Sequence, residues 1–153
     1  MSIDQRLAEL GITLPQPAAP VAAYVPAVEI GGMLHISGQI SFAEDGSLIK
    51  GRLGEDMDVD AGIAAAHRCG IMLLAQIKAA LGSLDRVERV VKLGVFVNST
   101  PDFVDQPKVA NGASELMSQV FGAAGKHARS AVGVVVLPLG VAVEVDAIVA
   151  VKS

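Results

Sequence analysis

The sequence contains little cysteine and few aromatic residues. Cys69 is the single cysteine in a chain of 153 residues, tryptophan is absent, and aromatic residues make up only 3%. A single cysteine excludes an intrachain disulfide and a zinc site built from several cysteines, and it fits a reducing compartment. The core must therefore be built from aliphatic side chains, which the hydrophobic content of 52% supplies amply.

Charge is scarce as well. Asp, Glu, Lys and Arg together make up 18% of the chain, which is low for one small domain with much surface for its volume. We therefore expect part of the surface to be buried between subunits. The net charge is −4 and no stretch is rich in Lys or Arg, so the sequence argues against nucleic acid as a partner.

Targeting and membrane signals are also missing. The N-terminal stretch MSIDQRLAEL is polar and acidic and lacks the pattern of a signal peptide. No apolar run reaches the length of about 18 residues that a membrane span requires. A cytoplasmic protein without a membrane partner is therefore expected.

The apolar pattern that remains predicts a single α+β domain. Helical spacing is clearest over 58–81, where Asp58 or Asp60 can supply the N-terminal acid and Gly82 marks the end. The rest of the pattern predicts, in chain order, a short helix over 3–10, a proline-rich connector over 15–20, strands over 24–30, 33–40 and 87–98, and a helix over 107–121.

The segment 127–151 completes the domain and reads as two strands joined in a hairpin by a turn at 137–140. Alternate residues from Val143 to Val151 suit a helix layer, whereas those from Ala142 to Ala150 are only half apolar. In the strand over 87–98 the same alternation predicts one face that is shared by Val91, Leu93, Val95 and Val97. We expect both long helices on one face of a mixed sheet, and another subunit on the other face.

Charged residues are few in this apolar segment, and two of them, Arg129 and Glu144, are candidates for a site. Arg129 stands at the start of its first strand and Glu144 lies within its second strand. One interpretation is a structural salt bridge. The other is that Arg129 binds an anionic ligand, because its planar guanidinium matches a carboxylate, while Glu144 accepts a proton from water or holds water in place.

Other candidate residues are few. His35, His67 and His127 are not spaced as metal ligands, so no metal site is predicted. His127 lies two residues before Arg129 and is a candidate for the same site, whereas His35 and His67 are expected to be structural. Cys69 lies within the helix over 58–81 and is expected to be buried as a small hydrophobic residue.

Several separated motifs can be compared together, and in this order they resemble a known family. They are YVPAV at 24–28, ISGQI at 36–40, LGSLDRV at 81–87, VFVN at 95–98 followed by Asp102-Phe103, ARSAV at 128–132, Leu137-Pro138 and VEVDAI at 143–148. The set is similar to the YjgF/RidA family of enamine and imine deaminases, also labelled L-PSP endoribonucleases. The resemblance covers roughly residues 21–151, and the segments 111–114, 121–122 and 127–133 resemble a divergent subgroup.

The resemblance implies a chorismate-mutase-like α+β fold and a homotrimer, in which the sheets face inward as a barrel and three sites lie between subunits. It divides the chain into an N-terminal extension over 1–20 and a family domain over 21–153. The implied reaction is hydrolysis of reactive 2-enamino or 2-imino acids to 2-keto acids and ammonia. No cofactor is implied.

The resemblance also implies roles for individual residues. Arg129 would bind the carboxylate of the substrate, and Glu144 would orient or deprotonate the attacking water. Tyr24 would line the pocket, and Ser37 and Asn111 would help to shape it.

One departure from the family limits what can be transferred. Typical members have cysteine two residues after the arginine, where this chain has Ala131. A thiol is therefore excluded at that position, and the floor of the implied pocket is smaller and more apolar. An alternative function is a non-catalytic trimer that binds a small carboxylate or a protein partner. Ribonuclease activity rests on the family label alone, and the acidic chain argues against it.

Overall fold

The computed structural model describes residues 1–17 and 23–153. Part of the predicted connector over 15–20, namely residues 18–20, lies outside the described residues. Three helices and five strands are present: α1 (Ile3–Glu9), β1 (Ala27–Ile30), β2 (Met33–Ile40), α2 (Val59–Leu81), β3 (Val87–Asn98), α3 (Gln106–Phe121), β4 (Ala128–Val134) and β5 (Val143–Val151). Short 3-10 turns precede β3, follow α3 and precede β5.

The five strands form one mixed sheet in the order β1-β2-β5-β3-β4. Neighbouring strands are antiparallel except for β3 and β4, which run parallel. β5 is the central strand, and α2 and α3 cover the face that carries its buried residues Val143, Val145, Ala147, Val149 and Val151. The predicted α+β class, with both long helices on one face of a mixed sheet, is therefore confirmed.

The predicted hairpin between the last two strands is wrong. β4 pairs with one edge of β3 and β5 pairs with the other edge, so β3 separates them. The chain from Val134 to Val143 is long enough to pass the end of β3, and its 3-10 turn spans Pro138–Gly140. β5 takes the central position because it is strongly apolar, and a strand of this kind is most stable when a neighbouring strand pairs with each of its edges.

The long helix follows its sequence signals closely. Asp58 is the N-cap residue of α2 and its carboxylate accepts a hydrogen bond from the amide N–H of Ala61 at 2.8 Å. Gly82 ends the helix in the left-handed region at φ 83°, a conformation that glycine adopts without a Cβ penalty. Both signals for this helix are therefore confirmed.

Two strands differ from their predicted pattern. β1 begins at Ala27 rather than at residue 24, because Pro26 has no N–H to donate to a neighbouring strand. In β3 a bulge between Val90 and Lys92 shifts the alternation, so that Val90 is fully buried and Val91 is only partly buried. The bulge therefore breaks the predicted alternation at Val91.

The N-terminal helix is docked onto the helix layer. Leu7 is buried in the common core, and the Nε of Arg6 donates a hydrogen bond to the backbone oxygen of Gln119 at 2.8 Å. The predicted short helix at the N-terminus is confirmed. The division of the chain into residues 1–20 and 21–153 stays a prediction.

The second face of the sheet carries no helix among the described residues. Glu144, Asp146 and Ile148 of β5 are half-exposed there. A concavity of about 420 Å³ on this face is lined by both polar and apolar side chains, among them His35, Lys92 and Phe96. In the described part of the chain, no helix combines the length and the apolar character needed to cross a bilayer.

Candidate functional site

Arg129 lies on β4 at the edge of the sheet, and its side chain reaches towards α3. Its Nη1 donates hydrogen bonds to Oδ1 of Asn111 at 2.8 Å and to Oγ of Ser114 at 3.2 Å. The strand register pairs Arg129 with Leu93, which is fully buried beneath the helices. The structure therefore brings Arg129 and Asn111 together on the helix side of the sheet.

Ser114 and His127 extend this cluster. Nδ1 of His127 lies 2.6 Å from the backbone oxygen of Gly125, which can only accept, so Nδ1 carries the proton. In the neutral ring Nε2 then accepts from the hydroxyl of Ser114 at 2.8 Å, and the oxygen of Ser114 accepts from Arg129. The sequence did not single out Ser114 as a site residue, although it lies three residues after Asn111 on the same helix face.

The guanidinium of Arg129 has no carboxylate partner among the described residues, and its hydrogen bonds there use Nη1 alone. The side chain is half-exposed. A cleft of about 280 Å³ adjoins it and is lined by Ser114, Glu115, Ser118, Lys126 and His127. Arg129 is thus held in one orientation while Nε and Nη2 stay available for a bidentate anion.

Glu144 lies on β5 and belongs to a second cluster. It stands opposite Ile40 of β2 and Phe96 of β3, and its side chain is half-exposed on the open face. A Cβ added to Gly38 would overlap Oε2 of Glu144. The carboxylate therefore packs directly over the backbone of β2, at a position where glycine leaves room for it.

Two causes raise the pKa of Glu144 above its ordinary value. Burial is the larger one, and the neighbouring carboxylate of Asp146 is the second. Burial also raises the pKa of Asp146, against the lowering effect of a hydrogen bond from the backbone of Gly94. Because a raised pKa makes a carboxylate a stronger base, Glu144 is better suited than an exposed glutamate to take a proton from water.

Ser37 and Tyr24 are connected through the segment that precedes β1. The hydroxyl of Ser37 donates to the backbone oxygen of Val25 at 3.0 Å, and this bond ties the segment that carries Tyr24 to β2. The Tyr24 side chain is 64% exposed. Gly38, beneath the Glu144 carboxylate, directly follows Ser37.

The two clusters face away from each other within one chain. Arg129 pairs with Leu93 and Glu144 pairs with Phe96, and residues three apart on a regular strand point to opposite faces. Accordingly, the described residues form no ion pair between Arg129 and Glu144. The structural salt bridge that the sequence left open is therefore not formed.

The remaining candidates are His35, His67 and Cys69. His35 is exposed on β2, and His67 is half-buried on α2. Cys69 is fully buried, its Sγ donates to the backbone oxygen of Val143 at 3.4 Å, and burial raises the pKa of the thiol. Burial of Cys69 is therefore confirmed. Within residues 1–17 and 23–153, no group of His, Cys, Asp and Glu could hold a metal ion.

Comparison with known proteins shows the family of this chain. Residues 4–149 match the family model described as YjgF/chorismate mutase-like, putative endoribonuclease. Protein TCP17 of Trypanosoma cruzi is 53% identical over 148 residues, which cover 96% of this chain and 92% of TCP17. A 2-iminobutanoate/2-iminopropanoate deaminase of Dermatophagoides farinae is 26% identical over 92% of this chain and 95% of its own length.

Solved structures agree with the sequence comparison. A protein of unknown function from Agrobacterium tumefaciens is 45% identical, covers 99% of this chain and 94% of its own, and superimposes with a TM-score of 0.90. Escherichia coli TdcF with bound serine is 26% identical, covers 88% of this chain and 92% of its own, and has a TM-score of 0.61. The chain therefore belongs to the YjgF/RidA family.

Proposed function

We propose that this protein hydrolyses reactive 2-enamino and 2-imino acids to 2-keto acids and ammonia. Arg129 binds the carboxylate of the substrate, and Glu144 positions and deprotonates the attacking water. The proposal rests on the surroundings of Arg129. Two side chains hold its guanidinium in place, and no carboxylate among the described residues forms an ion pair with it. A fixed and unpaired guanidinium at a half-exposed position is suited to a carboxylate ligand.

The reaction makes modest demands on the protein. Water adds to the electrophilic iminium carbon and gives a carbinolamine, as Glu144 accepts the proton of the water. Glu144 returns this proton to the nitrogen. As the C–N bond breaks and ammonia leaves, the hydroxyl proton passes to Glu144 and from there to the departing ammonia, so that the oxygen remains as the keto oxygen of the product. The raised pKa of Glu144 serves both steps, because the group must accept a proton and then release it. Positioning supplies the rest of the rate.

The proposed site is completed between subunits. Because Arg129 and Glu144 lie on opposite faces of one sheet, a substrate held by Arg129 meets a Glu144 from another copy of the chain. The half-apolar open face of the sheet supports this assembly, since such a face is more stable when a further subunit covers it. We propose a homotrimer with three such sites, and a cytoplasmic setting in which the reactive imines arise.

The other predicted residues take supporting places in this proposal. Asn111 and Ser114 orient Arg129, and His127 orients Ser114. Tyr24 and Ser37 accompany Glu144 on the opposite wall. Ala131 lies two residues after Arg129 on the same side of β4, and there it offers a small apolar surface instead of a thiol. No cofactor takes part.

Two relatives support the choice of chemistry. The relative named 2-iminobutanoate/2-iminopropanoate deaminase carries the proposed activity in its name. TdcF holds serine, a ligand with a carboxylate. Both fit a carboxylate-bearing substrate for this chain.

The proposal is tested by a coupled assay in which 2-aminoacrylate is generated in place and its conversion to pyruvate is followed. The Arg129→Ala variant is expected to lose at least about 100-fold in kcat/KM, because the bidentate contact to the carboxylate is lost. Arg89→Ala, at an exposed position of β3, is the matched control and keeps its activity. A wild-type rate in the Arg129 variant would refute the proposed site.

A non-catalytic carboxylate-binding trimer is the second candidate, and Ala131 favours it, because this chain lacks the thiol of typical family members. The same preparations distinguish the two. Saturable binding of pyruvate that requires Arg129, without acceleration of imine hydrolysis, would support the second candidate over the first.

A further inference from the structure

A cleft of about 510 Å³ lies on the helix side of the molecule, between the N-terminal segment and the two long helices. None of its lining residues lines the smaller cleft beside Arg129. Its volume is within the range of sites for small metabolites. The helix layer separates this cleft from the open face of the sheet.

Arg68 of α2 supplies a cation to this cleft. Its Nε donates to the backbone oxygen of Phe42 at 2.8 Å, which fixes the half-buried guanidinium. Among the residues that the structure describes, Arg68 has no ion-pair partner. The outer nitrogens of a fixed guanidinium are donors for a carboxylate.

Glu44 supplies an anion to the same cleft. The Glu44 side chain is exposed and forms no ion pair or hydrogen bond in the described part of the chain, although Arg68 lines the same space. Arg68 and Glu44 therefore line one cleft without forming an ion pair across it. A ligand that carries both a negative and a positive charge can pair with both side chains.

His67 does not add a second cation. Burial, followed by the neighbouring charge of Arg68, lowers the pKa of His67, so its ring is neutral at pH 7. Arg68 is therefore the cation of the cleft. The rest of the lining includes aliphatic side chains, which offer a surface for an apolar group: Leu10, Ile12, Leu14 and Ile71.

We propose that this cleft is a second small-molecule site, which binds an α-amino acid with an aliphatic side chain. The ligand carboxylate binds Arg68, its ammonium group binds Glu44, and its side chain lies against Leu10, Leu14 and Ile71. The proposal is independent of the imine deaminase activity, because the two sites share no lining residue.

The test uses isothermal titration calorimetry of the full chain with L-leucine as the probe. One L-leucine is expected per chain. Glycine lacks the side chain, 4-methylpentanoate lacks the ammonium group and 3-methylbutylamine lacks the carboxylate, so each is expected to bind at least about tenfold more weakly than leucine.

Variants assign the binding to this cleft. Glu44→Gln keeps the size of an exposed side chain and is expected to weaken leucine binding at least about tenfold, as is Arg68→Gln. Glu88→Gln, at another exposed glutamate, is the matched control and leaves binding unchanged. Thermal unfolding of Arg68→Gln shows whether loss of the hydrogen bond to Phe42 destabilises the fold. If it does, the leucine affinity of Glu44→Gln alone tests whether the ligand binds in this cleft.

Three results would overturn the proposal. The first is the absence of saturable leucine binding by the wild-type protein. The second is equal binding of leucine by the wild-type and Glu44→Gln proteins. The third is loss of leucine binding in Arg129→Ala, which would assign the ligand to the cleft beside β4 instead.

Discussion

Arg129 and Glu144 lie on opposite faces of the same sheet, although β3 is the neighbour of both strands that carry them. Arg129 turns towards α3, where Asn111 and Ser114 accept its hydrogen bonds. Glu144 lies on the open face above the backbone of β2. Under the proposed function, a reaction that uses both groups is shared between two copies of the chain, and this sharing can be tested.

The first prediction concerns the bond that orients Arg129. Asn111→Ala removes the acceptor at 2.8 Å from Nη1, so kcat/KM for 2-aminoacrylate should fall by about 10- to 100-fold. Asn111→Asp should cost more, because the new carboxylate pairs with Arg129 and competes with the substrate. Lys108→Ala, at an exposed position on the same helix, serves as the control. Wild-type kinetics in Asn111→Asp would show that Arg129 does not bind the substrate carboxylate.

The second prediction concerns pH. The ionised form of Glu144 is the base, so kcat/KM should rise with pH as this group loses its proton. Asp146 raises the pKa of Glu144 through like charge. Asp146→Asn removes that charge, so the pKa of Glu144 falls and the rise in activity moves to lower pH, by on the order of half a pH unit. The measurement is the pH profile of kcat/KM for both proteins.

The control for this pH experiment is Asp45→Asn, because Asp45 is exposed in a turn and forms its hydrogen bonds with Ser47. This variant should keep the wild-type profile. A shift of the Asp146→Asn profile to higher pH would contradict the role given to Glu144.

The third prediction concerns the contact between the long helices. Glycine to alanine within a helix ordinarily gains about 1 kcal/mol of stability. At Gly112, however, an added Cβ would overlap the backbone oxygen of Ile63 and lie 3.0 Å from the amide nitrogen of His67. Gly112→Ala should therefore lower the free energy of unfolding by about 2 kcal/mol, because backbone atoms must separate.

Urea unfolding followed by circular dichroism measures this change. Ser118→Ala lies on the same helix at a half-exposed position and should change the free energy of unfolding little. Increased stability of Gly112→Ala would mean that the two helices are less closely packed than the structure has them.

The sequence predicted the elements well because their signals are local. The spacing of apolar residues, the acid at Asp58 and the glycine at 82 define α2, and the structure agrees with all three. The bulge in β3 was beyond such reasoning. It depends on how Val90 and Lys92 pair with β5, and the identity of Val91 carries no sign of it.

Strand pairing was less predictable, because it is decided by the whole sheet. The segments around Arg129 and Glu144 look like a hairpin when read alone, yet β3 lies between them. The same limit applied to the site. The sequence pointed to Arg129 and Asn111 separately, whereas their hydrogen bond and the contribution of Ser114 follow from the packing of α3 beside β4.

The most direct test of a site shared between chains is a mixed oligomer. Arg129→Ala and Glu144→Gln chains, each expected to be nearly inactive alone, are co-expressed with different tags and purified through both tags, so that every copy of the proposed trimer contains both kinds of chain. One of the three sites then has an intact Arg129 from one chain and an intact Glu144 from the next, and we expect about one third of the wild-type kcat per trimer. Activity of the mixed trimers no greater than that of either parent variant would contradict a site shared between subunits.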